Sequence, residues 1–457
     1  MVKKILPLLL LSVACCINAR CQSDLPQDVK DKITLRVDNH TNPGIVIGLI
    51  NGDGVRFYSF GVKSLTTADP VNEHTIFEIG SISKTFTGIL LAHEVVNGRI
   101  KLDDPIQKYL PAGVTAPTRN GEVIKLVNLS NHTSSLPRLP DNFTPANPAN
   151  PYADYTEKQL YDFLKGYALP HDIGSEYEYS NYAVGLLGHV LATQKKTTYE
   201  KLMVDVIANP LGMSNTRVIL TPAMKKNLAQ GYSDGVAVEN WDLPILAGAG
   251  GIRSDAVDMV KYIRANMGQG KSKLYPAMQL AQTNTRPTGA IPPVGLGWHI
   301  ANVNGVEIIT HSGGTGGYRT FSGFLKNGKK GVVVLTNSAI GVDDIGLHLL
   351  DTNVPITDGK PPVMQGTEIA VDTTVLETYT GQYELAPSFL LTVTRAKNQL
   401  HAQATGQDKF PVFAKAQNIF FYKVVEAQLT FNQNASGAIE SVTLHQGGRE
   451  IVGKKVK

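Results

Sequence analysis

Cysteine is nearly missing from this chain: of 457 residues only three are cysteine, Cys15, Cys16 and Cys21, all near the N-terminus. That excludes an internal disulfide framework, so the fold has to rest on its core. Charge of one sign is missing too. Lys and Arg number 43 against 39 Asp and Glu, a net charge of +4, and the basic residues are scattered. Nothing in that distribution resembles a nucleic-acid footprint. The apolar run from Ile5 to about Ile17 is too short to span a bilayer. His93-Glu94 lacks the second histidine a zinc site needs, so neither metal nor cofactor is expected. Internal repeats and low-complexity tracts are absent as well.

What is present begins with a basic Met1-Val2-Lys3-Lys4, the apolar run, and then Asn18-Ala19. This is the layout of a secretory signal peptide over residues 1–19, although Ile17 is large for its place before the cleavage point. An exported protein, periplasmic or secreted, is expected. A lipid-anchored cysteine is the competing reading, but Ser12-Val13-Ala14-Cys15 lacks the usual leucine three residues before the cysteine.

Length and composition (42% hydrophobic, 18% charged) allow two or three domains with a substantial core. Gly44–Ile50 reads as a buried strand, Asn51-Gly52-Asp53-Gly54 as a turn, and Val55–Val62 as a returning strand. A short helix is expected after Leu102-Asp103-Asp104-Pro105, with an aspartate cap. Helical patterns follow at Glu157–Tyr167, Tyr182–Thr193 and Tyr199–Ile207. Strands return at Val306–Thr310, Tyr318–Lys326 and Gly331–Asn337. Strands at both ends around a helical middle predict one sheet assembled from both ends of a domain over 24–352. Residues 353–367 read as a linker. Over 368–457, eight short alternating runs separated by turn residues predict a small all-β barrel or sandwich. Trp298 is expected to pack against the sheet.

Chemistry is concentrated first in Phe77-Glu78-Ile79-Gly80-Ser81-Ile82-Ser83-Lys84. Ile82, Phe86, Ile89, Leu90, Ala92, Val95 and Val96 follow at the spacing of a buried helical stripe, and Asn97-Gly98 is a stop signal. Ser81 therefore opens a helix, where free N–H groups and the dipole favour negative charge. Lys84 lies one turn on, on the same face. A serine hydroxyl becomes nucleophilic when a neighbour takes its proton, and a lysine does this once burial or nearby positive charge lowers its pKa. A plain helix-capping serine is the alternative for this stretch alone.

Two further clusters complete the set. Tyr177-Glu178-Tyr179-Ser180-Asn181-Tyr182 puts a phenol and an amide two residues apart just before a helix. Lysine charge beside Tyr179 is expected to lower its pKa towards that of a general base, with Asn181 holding the Lys84 ammonium or a substrate carbonyl. A surface aromatic loop is the alternative. His311-Ser312-Gly313-Gly314-Thr315-Gly316-Gly317 follows a strand and lacks the Gly-Lys-Ser/Thr of a phosphate loop. Its glycines would let a substrate lie against the strand edge, with the Gly314 N–H joining that of Ser81 as an oxyanion donor. A flexible hairpin turn competes with that reading.

The order and spacing of these three motifs resemble the class C β-lactamase and penicillin-binding serine hydrolases over about residues 30–350. His132-Thr133-Ser134-Ser135-Leu136-Pro137, Pro210-Leu211-Gly212-Met213 and Ala249-Gly250-Gly251 add to the likeness. The resemblance implies an α/β (α+β) fold, a β-lactamase/transpeptidase-like antiparallel sheet flanked by helices with an all-helical subdomain. It implies Ser81 as the acylated nucleophile, Lys84 and Tyr179 as the proton-shuttling pair, and Asn181, His311, Ser312 and Gly313 as substrate-orienting residues. Ser81 and Gly314 would form the oxyanion hole. Two departures bear on substrate: His311 stands where the lactamases carry lysine, and Ser180 where they usually carry alanine. The C-terminal unit resembles a lipocalin-like appendage of esterase and D-amino-acid peptidase relatives. Expected substrates are therefore small molecules: a β-lactam or related amide first, with a D-alanyl-D-alanine or D-amino-acid peptide or a short-chain ester as alternatives. A penicillin-binding sensor with little turnover is a further one.

Overall fold

The computed structural model describes residues 25–233, 235–270, 272–303, 305–358, 368–386, 389–405, 409–422, 427–434, 436–446 and 449–456. The expected signal segment, all three cysteines and residues 359–367 of the expected linker lie outside these.

Six strands form the main sheet: β1 (Gly44–Asn51), β2 (Gly54–Gly61), β3 (His299–Val303), β4 (Val306–Gly314), β5 (Arg319–Leu325) and β6 (Lys330–Thr336). Their order is β2-β1-β6-β5-β4-β3, antiparallel throughout. The two ends of the domain meet where β1 pairs with β6, from Ile45↔Thr336 to Asn51↔Lys330. The side-chain alternation of a strand explains why β1 is apolar along nearly its whole length. Ile45 and Ile47 face a layer that includes Val29, Ile33, Ile345 and Leu349, from helices α1 (Gln27–Asp38) and α6 (Asp343–Leu350). Val46 and Ile50 belong to the larger core beneath the other face. There α5 (Ala256–Asn266) lies so close that a Cβ at Gly48 would come 2.4 Å from Val260.

Helix α2 (Ser83–Val96) is buried from Ser83 to Ala92, with Phe86 stacked on Tyr262 at 4.1 Å. Val96, expected in the buried stripe, is 49% exposed, because the helix leaves the core at its last turn. The stop holds: Gly98 takes φ +68°, and its N–H bonds to Val95 O. Helix α3 (Glu157–Gly166) is capped reciprocally by Thr156 and Gln159, and α4 (Asn181–Gln194) by Ser180, whose Oγ accepts from Ala183 N–H. Trp298 is fully buried between Tyr262 and Phe324, as expected of a packing residue.

Three local expectations need correction. The Leu102–Pro105 stretch leads only into a 3-10 turn, Ile106–Tyr109. Asp104 accepts from Lys101 N–H and the Tyr109 hydroxyl instead of capping a helix. The Tyr199–Ile207 pattern divides into an α-helix at Tyr199–Met203 and a wider π turn at Val204–Ala208. His311–Gly314 does not follow a strand but continues one, since β4 runs to Gly314 and pairs with β5 there.

All eight runs predicted beyond residue 368 are strands, from Gly381–Ala386 to Arg449–Lys455. They close as an antiparallel barrel in sequence order, first strand to last through Tyr383↔Lys455. Alternation sends Leu391, Val393, Leu400, Ala402, Leu429 and Phe431 inwards around Tyr379 and Tyr383. Closure leaves no unpaired edge strand, which settles barrel over sandwich.

The packing of α2 gives a stability test. A Cβ at Gly88 would lie 1.9 Å from the Leu296 carbonyl oxygen, a backbone atom that cannot turn aside. Gly88→Ala is expected to lower the unfolding free energy by about 1–3 kcal/mol in a urea titration, outweighing the ~1 kcal/mol helix-propensity gain of alanine.

Candidate active site

Ser81 lies in a 3-10 turn, Gly80–Ile82, that leads into α2. Gly80 takes φ +51°, and a Cβ there would stand 2.6 Å from Gly314 N. A Cβ on Gly313 would lie 2.0 Å from Ile79 O. Glycine at these positions lets strand β4 lie directly against the serine turn, which brings the Ser81 and Gly314 segments together. The Thr320 hydroxyl donates to Ile79 O at 3.0 Å and pins the turn to β5.

Lys84 is 0% exposed. Its Nζ lies 3.0 Å from Ser81 Oγ, 2.8 Å from Asn181 Oδ1 and 2.7 Å from Ala249 O. Burial, and then the Arg138 guanidinium, hold its pKa well below the ordinary lysine value. A neutral amine has two N–H bonds and one lone pair. Asn181 Oδ1 and Ala249 O can only accept, so they use both hydrogens and leave the lone pair for the Ser81 hydroxyl.

Tyr179 lies beside that amine, with Lys84 Nζ 4.8 Å and Arg138 Cζ 5.4 Å from its ring centroid. Its pKa is pushed up to about 12 by burial, against a hydrogen bond with Ser81 and the charge of Arg138. The expectation of a lowered phenol pKa is thus reversed: desolvation of the phenolate outweighs the nearby positive charge. The amine moves down and the phenol up, so one group is poised to accept a proton and the other to donate one.

His311 is buried. Its Nδ1 lies 2.6 Å from Ser312 O, and since a carbonyl only accepts, Nδ1 carries the hydrogen. Nε2 has no hydrogen-bond partner among the described residues. The ring stacks on His299 at 4.8 Å, and burial, then His299 and Lys84, keep its pKa well below the ordinary histidine value. Position 311 is therefore uncharged at neutral pH. The Ser312 hydroxyl donates to Asp343 Oδ1 at the start of α6.

Every expected site residue lies in this cluster: Ser81, Lys84, Tyr179, Asn181, His311, Ser312, Gly313 and Gly314. Sequence reasoning did not single out Arg138, His299, Asp343 or the carbonyl of Ala249. His132 and Ala249 drew notice only as parts of accessory segments, and neither His299 nor Asp343 stands in a motif.

Fold and grouping together define a class, the serine hydrolases built on a Ser-x-x-Lys helix beside a sheet edge. The family model described as Beta-lactamase matches residues 29–351, and the chain belongs to that family. A second model, described as a domain of unknown function (DUF3471), matches residues 366–455. A β-lactamase of Escherichia coli K12 is 28% identical over 362 residues, covering 70% of this chain and 92% of that one. The D-alanyl-D-alanine-carboxypeptidase/endopeptidase AmpH of the same organism is 30% identical over 312 residues, covering 65% and 80%. The crystal structure of a class C β-lactamase from Rhodobacter sphaeroides superposes with TM-score 0.61 at 24% identity, over 72% of this chain and 99% of that one, a likeness of fold. Among the described residues no helix is long and apolar enough to cross a membrane.

The lowered Lys84 pKa has a stability consequence. Between its folded value and about 10.4 the unfolded chain carries the proton and the folded chain does not, so stability rises with pH in that window. It is expected to rise by up to about 1.4 kcal/mol per pH unit from this group. Lys84→Met removes the contribution. The wild type should gain on the variant as pH rises through that window, measured by urea unfolding at several pH values.

Proposed function

We propose that this chain is an exported serine hydrolase that opens β-lactam rings or related amides through an acyl-enzyme on Ser81. The observation that carries the reading is the fully buried Lys84 amine, its two carbonyl partners and the Ser81 hydroxyl within 3.0 Å. In this reading Lys84 takes the Ser81 proton as Oγ bonds to the substrate carbonyl carbon. The Ser81 and Gly314 amides hold the resulting oxyanion. Tyr179, protonated at neutral pH, gives its hydrogen to the leaving nitrogen as the amide bond breaks. The phenolate is then reprotonated from the Lys84 ammonium. Water repeats the sequence on the acyl-enzyme, with the Lys84–Tyr179 pair as base, and releases the acid. Export is supported by the basic and apolar residues ahead of Asn18-Ala19.

The test is nitrocefin turnover by the purified chain, with mass spectrometry of the serine adduct. Ser81→Ala is expected to lower kcat at least about 10³-fold and to abolish the adduct. Undiminished turnover in that variant would remove Ser81 from the reaction.

A second reading of substrate has its own support. His311 is neutral, the Ser312 hydroxyl is held by a carboxylate, and Arg319 beside Gly314 donates to Thr315 O and Tyr318 O. Position 311 thus presents an uncharged ring to a substrate carboxylate, which favours a short acyl ester, or a D-amino-acid peptide presented without its terminal charge. On this reading p-nitrophenyl acetate is turned over at least about 10-fold better in kcat/KM than nitrocefin, and His311→Lys narrows that gap. A wild-type preference for the carboxylate-bearing β-lactam would leave the first reading standing alone.

A further inference from the structure

Tyr179 stands in the extended stretch before α4, and no bond within that helix fixes its ring. Amides two residues apart point the same way in an extended chain, so a single neighbour can hold both. Here that neighbour is His132. Its carbonyl oxygen accepts from Glu178 N–H at 2.8 Å, and its Nδ1 accepts from Ser180 N–H at 3.1 Å. Its ring lies on the Tyr179 ring, centroids 4.4 Å apart and planes 29° apart, and Tyr177 meets the same ring edge-on at 5.5 Å. The grip requires an unusual backbone: His132 has φ +63° and is 1% exposed. Few residues other than glycine adopt that conformation, though histidine and asparagine are among those that do so more often.

We propose that His132 is a positioning residue of the active site, setting the Tyr179 phenol against Lys84 by holding the chain on both sides of it and its ring face. The proposal rests on the reading above, in which Tyr179 passes the proton to the leaving group. The chemistry of the contact is one-directional. A backbone N–H only donates, so Nδ1 must present a lone pair and the ring must be neutral with its hydrogen on Nε2. Burial, with Lys84, His299 and Arg138 nearby, keeps the ring in that state. The same segment then holds the start of α4. Pro137 O accepts from the Ser180 hydroxyl at 2.6 Å, and Arg138 O accepts from Asn181 N–H at 3.1 Å and Tyr182 N–H at 3.2 Å. One stretch of chain therefore sets the phenol and also the amide that binds Lys84.

The experiment is a double-mutant cycle on the full chain, with the better-turned-over of nitrocefin and p-nitrophenyl acetate. His132→Leu loses the acceptor and is expected to lower kcat at least about 30-fold with KM within about 2-fold, the signature of a misplaced reacting group. His132→Asn keeps an acceptor and tolerates the left-handed backbone, so it should stay within about 5-fold of the wild type. Tyr179→Phe combined with His132→Leu should lose no more than Tyr179→Phe alone, because no hydroxyl remains to be positioned. If the leucine variant does not fold, His132→Phe, which keeps a ring and loses the acceptor, takes its place in the cycle. Unchanged kcat in the leucine variant, or losses that multiply in the double variant, would overturn the proposal. So would an asparagine variant as inactive as the leucine one with a native melting transition. A Tyr179→Phe variant with wild-type kcat would instead remove the role of Tyr179, and this proposal with it.

Discussion

An amine kept out of water beside a hydroxyl is the constraint from which the rest of the site follows. Charging Lys84 in its buried place would cost several kcal/mol before compensation. The surroundings supply carbonyl oxygens for its hydrogens and, among the described residues, no carboxylate within bonding reach, so burial keeps the lone pair available. The same dry environment raises Tyr179 and keeps His132, His299 and His311 neutral. A single desolvated volume thus divides a base from an acid.

Keeping that volume dry requires close backbone packing, and glycine is how the chain achieves it. The serine turn touches β4 only because Gly80 and Gly313 have no side chain there. On the far side, a Cβ at Gly297 would lie 2.3 Å from Lys84 O. Sheet order completes the arrangement: β4 lies near the edge, next to β3, which carries His299 into stacking contact with His311. Tyr177 ties this edge to the helical side, its hydroxyl 3.1 Å from His299 Nε2 while its ring meets His132. The aromatic pile joins segments distant in sequence and fills space that water would otherwise occupy.

Near Ser312 the Asp343 carboxylate accepts from the Ser312 hydroxyl, and one Arg319 nitrogen donates to the main-chain oxygens of Thr315 and Tyr318. Arg138 and Arg286 lie over the rings of Tyr179 and Tyr177. Charged groups therefore approach the site through aromatic faces, where a guanidinium stays attracted without entering the dry volume.

Much of this was legible in the residues alone. Alternation marked all eight barrel strands, because interior and exterior positions of a closed sheet differ at every second residue. The helical stripe and Asn97-Gly98 marked α2, and Ser-x-x-Lys placed hydroxyl and amine on one turn, since both depend on spacing within a single element. The direction of the Tyr179 shift was not legible. Lysine nearby suggested a lowered pKa, whereas the burial created by His132 and its neighbours decides that it is raised. Nor was the run of β4 through His311–Gly314, because its ladder partners on β5 lie beyond a turn and its glycines resemble a loop. Sequence by itself determined which groups are present and which share a backbone period. Only the tertiary structure decided how dry each group is and which distant carbonyl, ring or carboxylate faces it, because a local dielectric is set by packing from segments far away along the chain.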